Sequence, residues 1–376
     1  MRAEVMAVVA LLSTSGCADV LVIQYVGAER LLTITTATAV ADGRWRQAGF
    51  RVAEADTSDE ARLWYGTTAG DGSLPAIVTL PRDEGSAIRS SAVLGDSWVL
   101  AGHVTANGKR VAWVRALDEA NDERWTTTLP SPDGLSTEAT ALAATNEGTL
   151  IVAGLEQVSA SVQEGWVALL DAQGQVRWRH GFRSGFQMQA RGFVPLSVMT
   201  QDGPPSASRR QVWLAGRRLI PGGDSRGYAL QLTLDGELWD SEPFGVTGSD
   251  SRGVVAAGNV GLVLCTSRDG AVELGWTSGG AVSGAATTEV RADAFALSGC
   301  VGTPSRVSVF GETQRDGAPV PTVITVDRPS RAVVEVQEWT TARGASVFGG
   351  AVDGDGALQL LGRTQRPLRR WSARAP

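Results

Sequence analysis

The residues able to do chemistry are few and scattered. The chain has 376 residues but only two histidines, His103 and His180, and three cysteines, Cys17, Cys265 and Cys300. There is no Cys-x-x-Cys pair, and the histidines lack the close spacing that a tetrahedral zinc site requires, so no metal site is expected. The run Asp353-Gly-Asp-Gly356 has the opening of a calcium loop, but Thr364 stands where the bidentate Glu would be, so it reads as a turn. Nucleophilic catalysis needs a base beside a Ser or Cys. No Gly-x-Ser-x-Gly elbow occurs, and two histidines leave few bases. A glycosidase needs two positioned carboxylates, and 40 Asp and Glu offer candidates everywhere without distinguishing any. The phosphate-cradling Gly-x-x-x-x-Gly-Lys motif is absent. No catalytic residue and no cofactor is therefore expected.

Charge points the same way. Lys and Arg total 34 against 40 acidic residues, a net charge of −6. Nucleic acid and anionic membrane surfaces reward clustered positive charge, so neither is an expected partner. The basic pairs Arg209-Arg210, Arg217-Arg218 and Arg369-Arg370 read as solvated surface.

The elements that would position these residues form a repeat. Trp98-Val-Leu-Ala-Gly102 is followed by Ala112-Trp-Val-Arg-Ala-Leu-Asp118 and Trp125. Leu150-Ile-Val-Ala-Gly154 is followed by Trp166-Val-Ala-Leu-Leu-Asp171, Gly174 and Trp178. Val212-Trp-Leu-Ala-Gly216 precedes Tyr228 to Asp235, Gly236 and Trp239; Val307-Ser-Val-Phe-Gly311 precedes Thr322 to Asp327 and Trp339. The step from Gly to the next strand is 11 or 12 residues each time (102 to 113, 154 to 166, 216 to 228, 311 to 322). Weaker copies surround residues 66, 266 and 362, giving about seven units, most near the ~40–50 residues of a propeller blade. Glycine is abundant, 45 of 376 residues, well above the usual ~7%, as tight turns between short strands require. Runs such as Leu150-Ile-Val-Ala are apolar on both faces, which suits strands stacked between sheets. The expected fold is all-β: a β-propeller of about seven four-stranded blades spanning 18–376 as a single domain. The last unit ends before a fourth strand. The run Val20-Leu-Val-Ile-Gln-Tyr-Val26 is expected to complete it, removing an exposed edge.

The pattern V-A-G, then W-V-A-L-L-D-x-x-G-x-V-x-W, resembles the propeller repeats of exported bacterial proteins and is similar to quinoprotein-like blades. That resemblance implies a surface or periplasmic scaffold, or in some members an enzyme. The quinone-using members are larger, typically eight-bladed, so the seven-unit count argues against that cofactor.

Recurrence of Trp113 with Trp166, and of Trp125, Trp178, Trp239 and Trp339, reads as packing between blades. Trp45, Trp64 and Trp276 fall outside the pattern and are the candidate ligand-contact aromatics. The segments 181–208 and 240–252 read as non-repeating loops, with Asp202 to Ser208 a Pro/Ser-rich insertion.

The N-terminus reads as a targeting segment. Arg2 precedes the apolar run Val5 to Leu12, then small residues lead to Cys17. The run is too short to span a bilayer but suits a signal peptide. Gly16-Cys17 resembles a bacterial lipoprotein cleavage site, which implies residues 1–17 as signal peptide and lipid attachment at Cys17. Thr14 and Glu4 depart from that pattern, and cleavage after Ala18 is the other processing reading. An exported chain would let Cys265 and Cys300 pair as a disulfide. The functional expectation is a non-enzymatic binding or scaffold propeller of the bacterial cell envelope. It would be a monomer, meeting the membrane only through its lipid and binding a protein, peptide or glycan. The alternatives are an exported hydrolase or lyase with its site at the central channel, and a cytosolic interaction propeller.

Overall fold

A computed structural model describes residues 32–375, apart from 40–44, 52–61, 68–77, 81–85, 146, 160–161, 183–192, 202–210, 220–224, 248–249, 257–261, 269–270, 279–280, 292–294, 304, 340–343, 353–357 and 366–367. Cys17, the run 20–26 and the Asp353-Gly-Asp-Gly356 turn lie outside the described residues.

The described chain folds into antiparallel sheets, each a meander in chain order. The first holds β1 (Leu32–Ala39), β2 (Trp45–Arg51), β3 (Arg62–Thr67) and β4 (Val78–Leu80). The second holds β5 (Ala87–Leu94), β6 (Ser97–Ala106), β7 (Lys109–Leu117) and β8 (Glu123–Leu129). The third holds β9 (Thr137–Ala144), β10 (Leu150–Gln157), β11 (Gln163–Leu170) and β12 (Val176–Gly181). The fourth holds β13 (Phe193–Gln201), β14 (Gln211–Leu219), β15 (Ser225–Thr233) and β16 (Leu238–Thr247). The fifth holds β17 (Asp250–Ala256), β18 (Leu262–Arg268), β19 (Ala271–Ser278) and β20 (Ala281–Arg291). The sixth holds β21 (Ala296–Gly302), β22 (Arg306–Arg315), β23 (Ala318–Asp327) and β24 (Val333–Glu338). The seventh has three described strands, β25 (Ala345–Val352), β26 (Leu358–Gln365) and β27 (Leu368–Ala375).

Two compact units result: residues 1–80 with 293–376, and residues 81–292. Within the second, Val99 and Val114 of the second sheet pack on Val152 and Trp166 of the third. The opposite face of the third sheet, with Ile151, Ala153 and Val167, packs on Val212, Leu214 and Leu230 of the fourth. Both faces of β10 are thus covered, and its continuous apolar run follows. Within the first unit, Phe310 and Val323 of the sixth sheet pack on Val347 and Leu360 of the seventh, and β1 lies alongside β25.

The repeated glycine has a physical cause. The ladder between the first two strands of every sheet shifts register by one residue. On the second strand the shift falls at Ala48/Gly49, Ala101/Gly102, Ala153/Gly154, Ala215/Gly216, Cys265/Thr266, Phe310/Gly311 and Leu361/Gly362. Each is a β-bulge, which sharpens local twist. A Cβ on Gly154 would run into the Glu138 carbonyl oxygen and lie 2.7 Å from Trp166 Cε2. Gly102 and Gly311 face the carbonyls of Ala87 and Ala296 in the same way. Across the other ladder the second-strand glycine opposite the bulge meets the aromatic of the third strand: Gly49 faces Trp64, Gly102 faces Trp113, Gly154 faces Trp166 and Gly216 faces Tyr228. This register corrects the phase of the first unit. Its bulge glycine is Gly49 rather than Gly66, and Trp64 occupies the repeat position instead of falling outside it.

Two other sequence expectations are corrected. Residues 193–201 form β13, while 240–247 and 250–252 belong to β16 and β17, so neither segment is a plain loop. In the fourth sheet Thr233, not Asp235, opens the turn before the outer strand. Thr233 accepts the Glu237 N–H on Oγ1 at 3.2 Å, as Asp171 accepts the Gln175 N–H at 2.8 Å and Asp118 the Asp122 N–H at 2.9 Å. The same turn carries positive φ at Asn121, Gly174 and Gly236.

Candidate functional site

Two outer-strand aromatics fasten the second sheet to the third and the third to the fourth. Trp125 of β8 donates its Nε1–H to the Ala172 carbonyl at 3.0 Å, and Thr127 Oγ1 donates to the Gly174 carbonyl at 2.6 Å. Trp178 of β12 donates to the Leu234 carbonyl at 2.8 Å. Gly174 and Gly236 lie directly beneath these partners; a Cβ on Gly236 would sit 2.6 Å from His180 Nε2. His180 stacks on Trp178 with 5.0 Å between ring centroids, and burial holds its pKa below the usual histidine value. In the second to fourth sheets the Trp and turn-Gly signals of the repeat are therefore inter-sheet fastenings, while Asp118 and Asp171 cap their own turns.

Of the three candidate ligand-contact aromatics, Trp64 and Trp276 are buried within their sheets. Trp64 is fully buried, and Trp276, opposite Val263, is 6% exposed. Trp45 opens β2 opposite Ala39, and its side chain lies outside the described residues. Cys265 is buried on β18, and Cys300 is half-buried on β21.

A polar cleft lies where the β6–β7 and β10–β11 hairpins flank the start of β9. It has a volume of about 190 Å³ and is lined by Arg110, Ser136, Glu138, Glu156, Gln157 and Gln163, among others. Sequence alternation explains the lining. Glu156 and Glu164 pair across β10 and β11 and point to the same side as Trp166, toward the second sheet. Main chain is anchored there by small hydroxyls. The Arg110 N–H donates to Ser136 Oγ at 3.2 Å, the Ala112 N–H to Thr137 Oγ1 at 2.9 Å, and Thr137 Oγ1 to the Leu129 carbonyl at 2.9 Å.

Charges are paired across the two sheets and within the third. Glu138 Oε2 takes Arg110 Nη1 at 3.0 Å and lies 3.3 Å from Nδ1 of the buried His103. Glu156 Oε2 takes Arg179 Nη2 at 3.0 Å. The Arg179 guanidinium covers the Trp166 ring, 4.6 Å from its centroid, and donates to the Pro130 carbonyl. Burial lowers the Arg179 pKa, and the Glu156 carboxylate opposes that shift. Arg110 is half exposed at the mouth. The sequence pattern puts His103 at a strand end; it sits inside β6, and its partner Glu138 carries no motif signal. The packing of the second sheet on the third, where β6 lies against β9, brings them together. The cleft offers both donors and acceptors, held in place by ion pairs. Among the described residues no group of three or more His, Cys, Asp and Glu is arranged to hold a metal, and no helix is long and apolar enough to cross a membrane.

No family model matches the chain, and no curated protein matches it in sequence. Solved structures do. Sqt1 from Chaetomium thermophilum superposes with a TM-score of 0.56 at 12% identity, over 93% of this chain and 97% of that one. The Dos1 propeller gives 0.55 at 10% identity, over 90% and 91%. This chain has a β-propeller fold. Sqt1 bound to the N-terminus of ribosomal protein L10 is similar too, with a TM-score of 0.51, 14% identity and coverage of 91% and 84%. At these identities the likeness speaks to fold, and function has to be argued from the site.

Proposed function

We propose that this chain is a non-enzymatic binding scaffold, a propeller that holds a protein or peptide partner at the polar cleft between its second and third sheets. One observation carries the reading. The repeat's Trp, Gly and His residues are engaged in packing between sheets, while the cleft collects polar groups at a hairpin end, where loops on a rigid scaffold bind. The propeller that takes the N-terminus of ribosomal protein L10 lends support to a peptide as partner. Exported and anchored through a lipid on Cys17, the chain acts as a monomer in the bacterial cell envelope and needs no cofactor. The run 20–26 supplies the fourth strand of the seventh blade, and Cys265 and Cys300 pair.

A photo-crosslinking residue at Gln157 or Gln163 tests the site in intact cells. One discrete adduct, lost in Arg110→Ala and absent with the probe at Val176, is expected. Equal labelling from Val176 would remove the cleft from the account. Membrane fractionation tests the anchor: Cys17→Ala should leave the detergent phase, and unchanged partitioning would count against lipidation. Deleting residues 19–30 should strongly lower the melting temperature, and an unchanged one would rule out the strand closure. A mass increase on alkylating the unfolded chain without reductant would show the two later thiols unpaired.

A further inference from the structure

A second surface lies on β24, away from the cleft. β24 ends the sixth sheet, paired to β23 on one side only among the described residues. Its Val333, Val334 and Val336 are 42%, 52% and 54% exposed, half of the exposed large apolar residues described. The outer strands of the second and third sheets differ. β8 carries Glu123, Arg124 and Trp125, and β12 carries Arg177, Trp178 and Arg179. Trp125 and Trp178 fasten each strand to the next sheet. β24, Val-Val-Glu-Val-Gln-Glu, has no aromatic of its own, and the repeat's Trp339 follows directly after it, packed on the cluster of the sixth and seventh sheets.

The free edge has a defined hydrogen-bonding face. The Trp339 N–H donates inward to the Pro321 carbonyl at 2.9 Å. By alternation the amides of Gln337 and Glu335 also face β23, and those of Val336 and Glu338 face away. An unpaired edge of this kind is a template for another strand.

The charge on the strand selects which strand. Pairing two copies antiparallel about Glu335 would set Val334 against Val336 twice, the best apolar match. It would also set Glu335 against its own copy in a non-hydrogen-bonded pair, with Cβ atoms about 5 Å apart, which is unfavourable for like charges. Glu338 is already held by Arg315 Nη2 at 2.7 Å, whereas no ion pair to Glu335 occurs among the described residues. A strand carrying Lys or Arg opposite Glu335, between two apolar residues, keeps the apolar match and reverses the sign of the central contact.

We propose that β24 accepts an extended segment of a partner protein as an added antiparallel strand, recognised by an apolar-basic-apolar triplet centred on Glu335. The occupant is a partner strand rather than a second copy of this chain, and the proposal stands apart from the cleft.

The full chain is titrated into two labelled, acetylated nonapeptides of threonine with a central Val-Lys-Val or Val-Glu-Val, read by fluorescence anisotropy. The Lys peptide should bind about fivefold more tightly, from the cross-strand charge difference. Glu335→Lys should reverse that order. Val336→Pro should abolish binding with unchanged melting, because it removes an outward amide and leaves the β23 ladder intact. Equal affinity for both peptides, or an order that Glu335→Lys leaves alone, would overturn the proposal. So would a wild-type dimer in sedimentation that Val336→Pro dissolves, since the edge would then belong to a second copy.

Discussion

Replacing Gly154 by Ala probes the repeated bulge most sharply. The added methyl meets the Glu138 backbone carbonyl on one side and the Trp166 ring on the other. Trp166 is fully buried, and the carbonyl belongs to the first strand of the same sheet, so neither can swing aside. Forcing one methyl into such packing costs typically 1–3 kcal/mol, and with two rigid neighbours we expect about 3 kcal/mol. Unfolding entropy near 2.1 cal/mol/K per residue, over the 376 residues, converts this to roughly 4 °C in melting temperature for a single cooperative transition. Urea denaturation gives the free energy directly. Gly148→Ala is the control: Gly148 has φ +75°, and a methyl group there would meet no atom within 4 Å, so only the left-handed backbone cost of about 1–2 kcal/mol applies. Trp166→Leu in the Gly154→Ala background removes the ring half of the clash, so the two changes should couple favourably in a double-mutant cycle. A Gly154→Ala loss below that of Gly148→Ala, or strictly additive changes, would refute the assignment of the repeat glycine to steric necessity.

Three further outcomes follow from the same contacts. Arg179→Ala strands the Glu156 carboxylate beside the Trp166 ring and should cost about 3 kcal/mol in urea denaturation, while Arg179→Lys recovers only part, lacking the planar guanidinium. His180, with its pKa depressed by burial, is harder to protonate folded than unfolded. Its contribution is whole above the unfolded value of about 6.5 and declines as pH falls from there toward the folded pKa. The wild type should therefore lose stability relative to His180→Gln between pH 7 and pH 5 in parallel melts, and a pH-independent difference would contradict the burial. Trp178→Phe keeps an aromatic ring but deletes the donor to the Leu234 carbonyl, and should cost about 1 kcal/mol by urea denaturation.

Strand alternation, the Gly-to-aromatic spacing and the Asp-x-x-Gly turns are legible in the sequence because each reflects a local constraint. Gly154 is fixed by a bulge two strands wide, and Gly174 by a turn that needs positive φ. The phase of the first unit is not legible, because Gln47-Ala-Gly49 lacks the apolar run before its glycine and Leu63-Trp-Tyr-Gly66 mimics a second strand. Sequence pattern consequently makes Trp64 a surface aromatic, although it lies opposite Gly49 and is buried. The cleft is not legible either. His103, Arg110, Glu138 and Glu156 come from four strands of two sheets, and their meeting depends on how those sheets pack. No spacing rule encodes that.

The central claim is that the recurrent aromatics hold sheets together and leave binding to the cleft. Indole N–H exchange, followed by NMR and assigned through single Trp→Phe variants, tests it most directly. Trp64, Trp113, Trp166 and Trp178 should exchange slowly, and their resonances should stay in place when the crosslinked partner is added. Fast exchange of these indoles, or shifts confined to them on partner binding, would contradict the claim and make the repeat itself the binding surface.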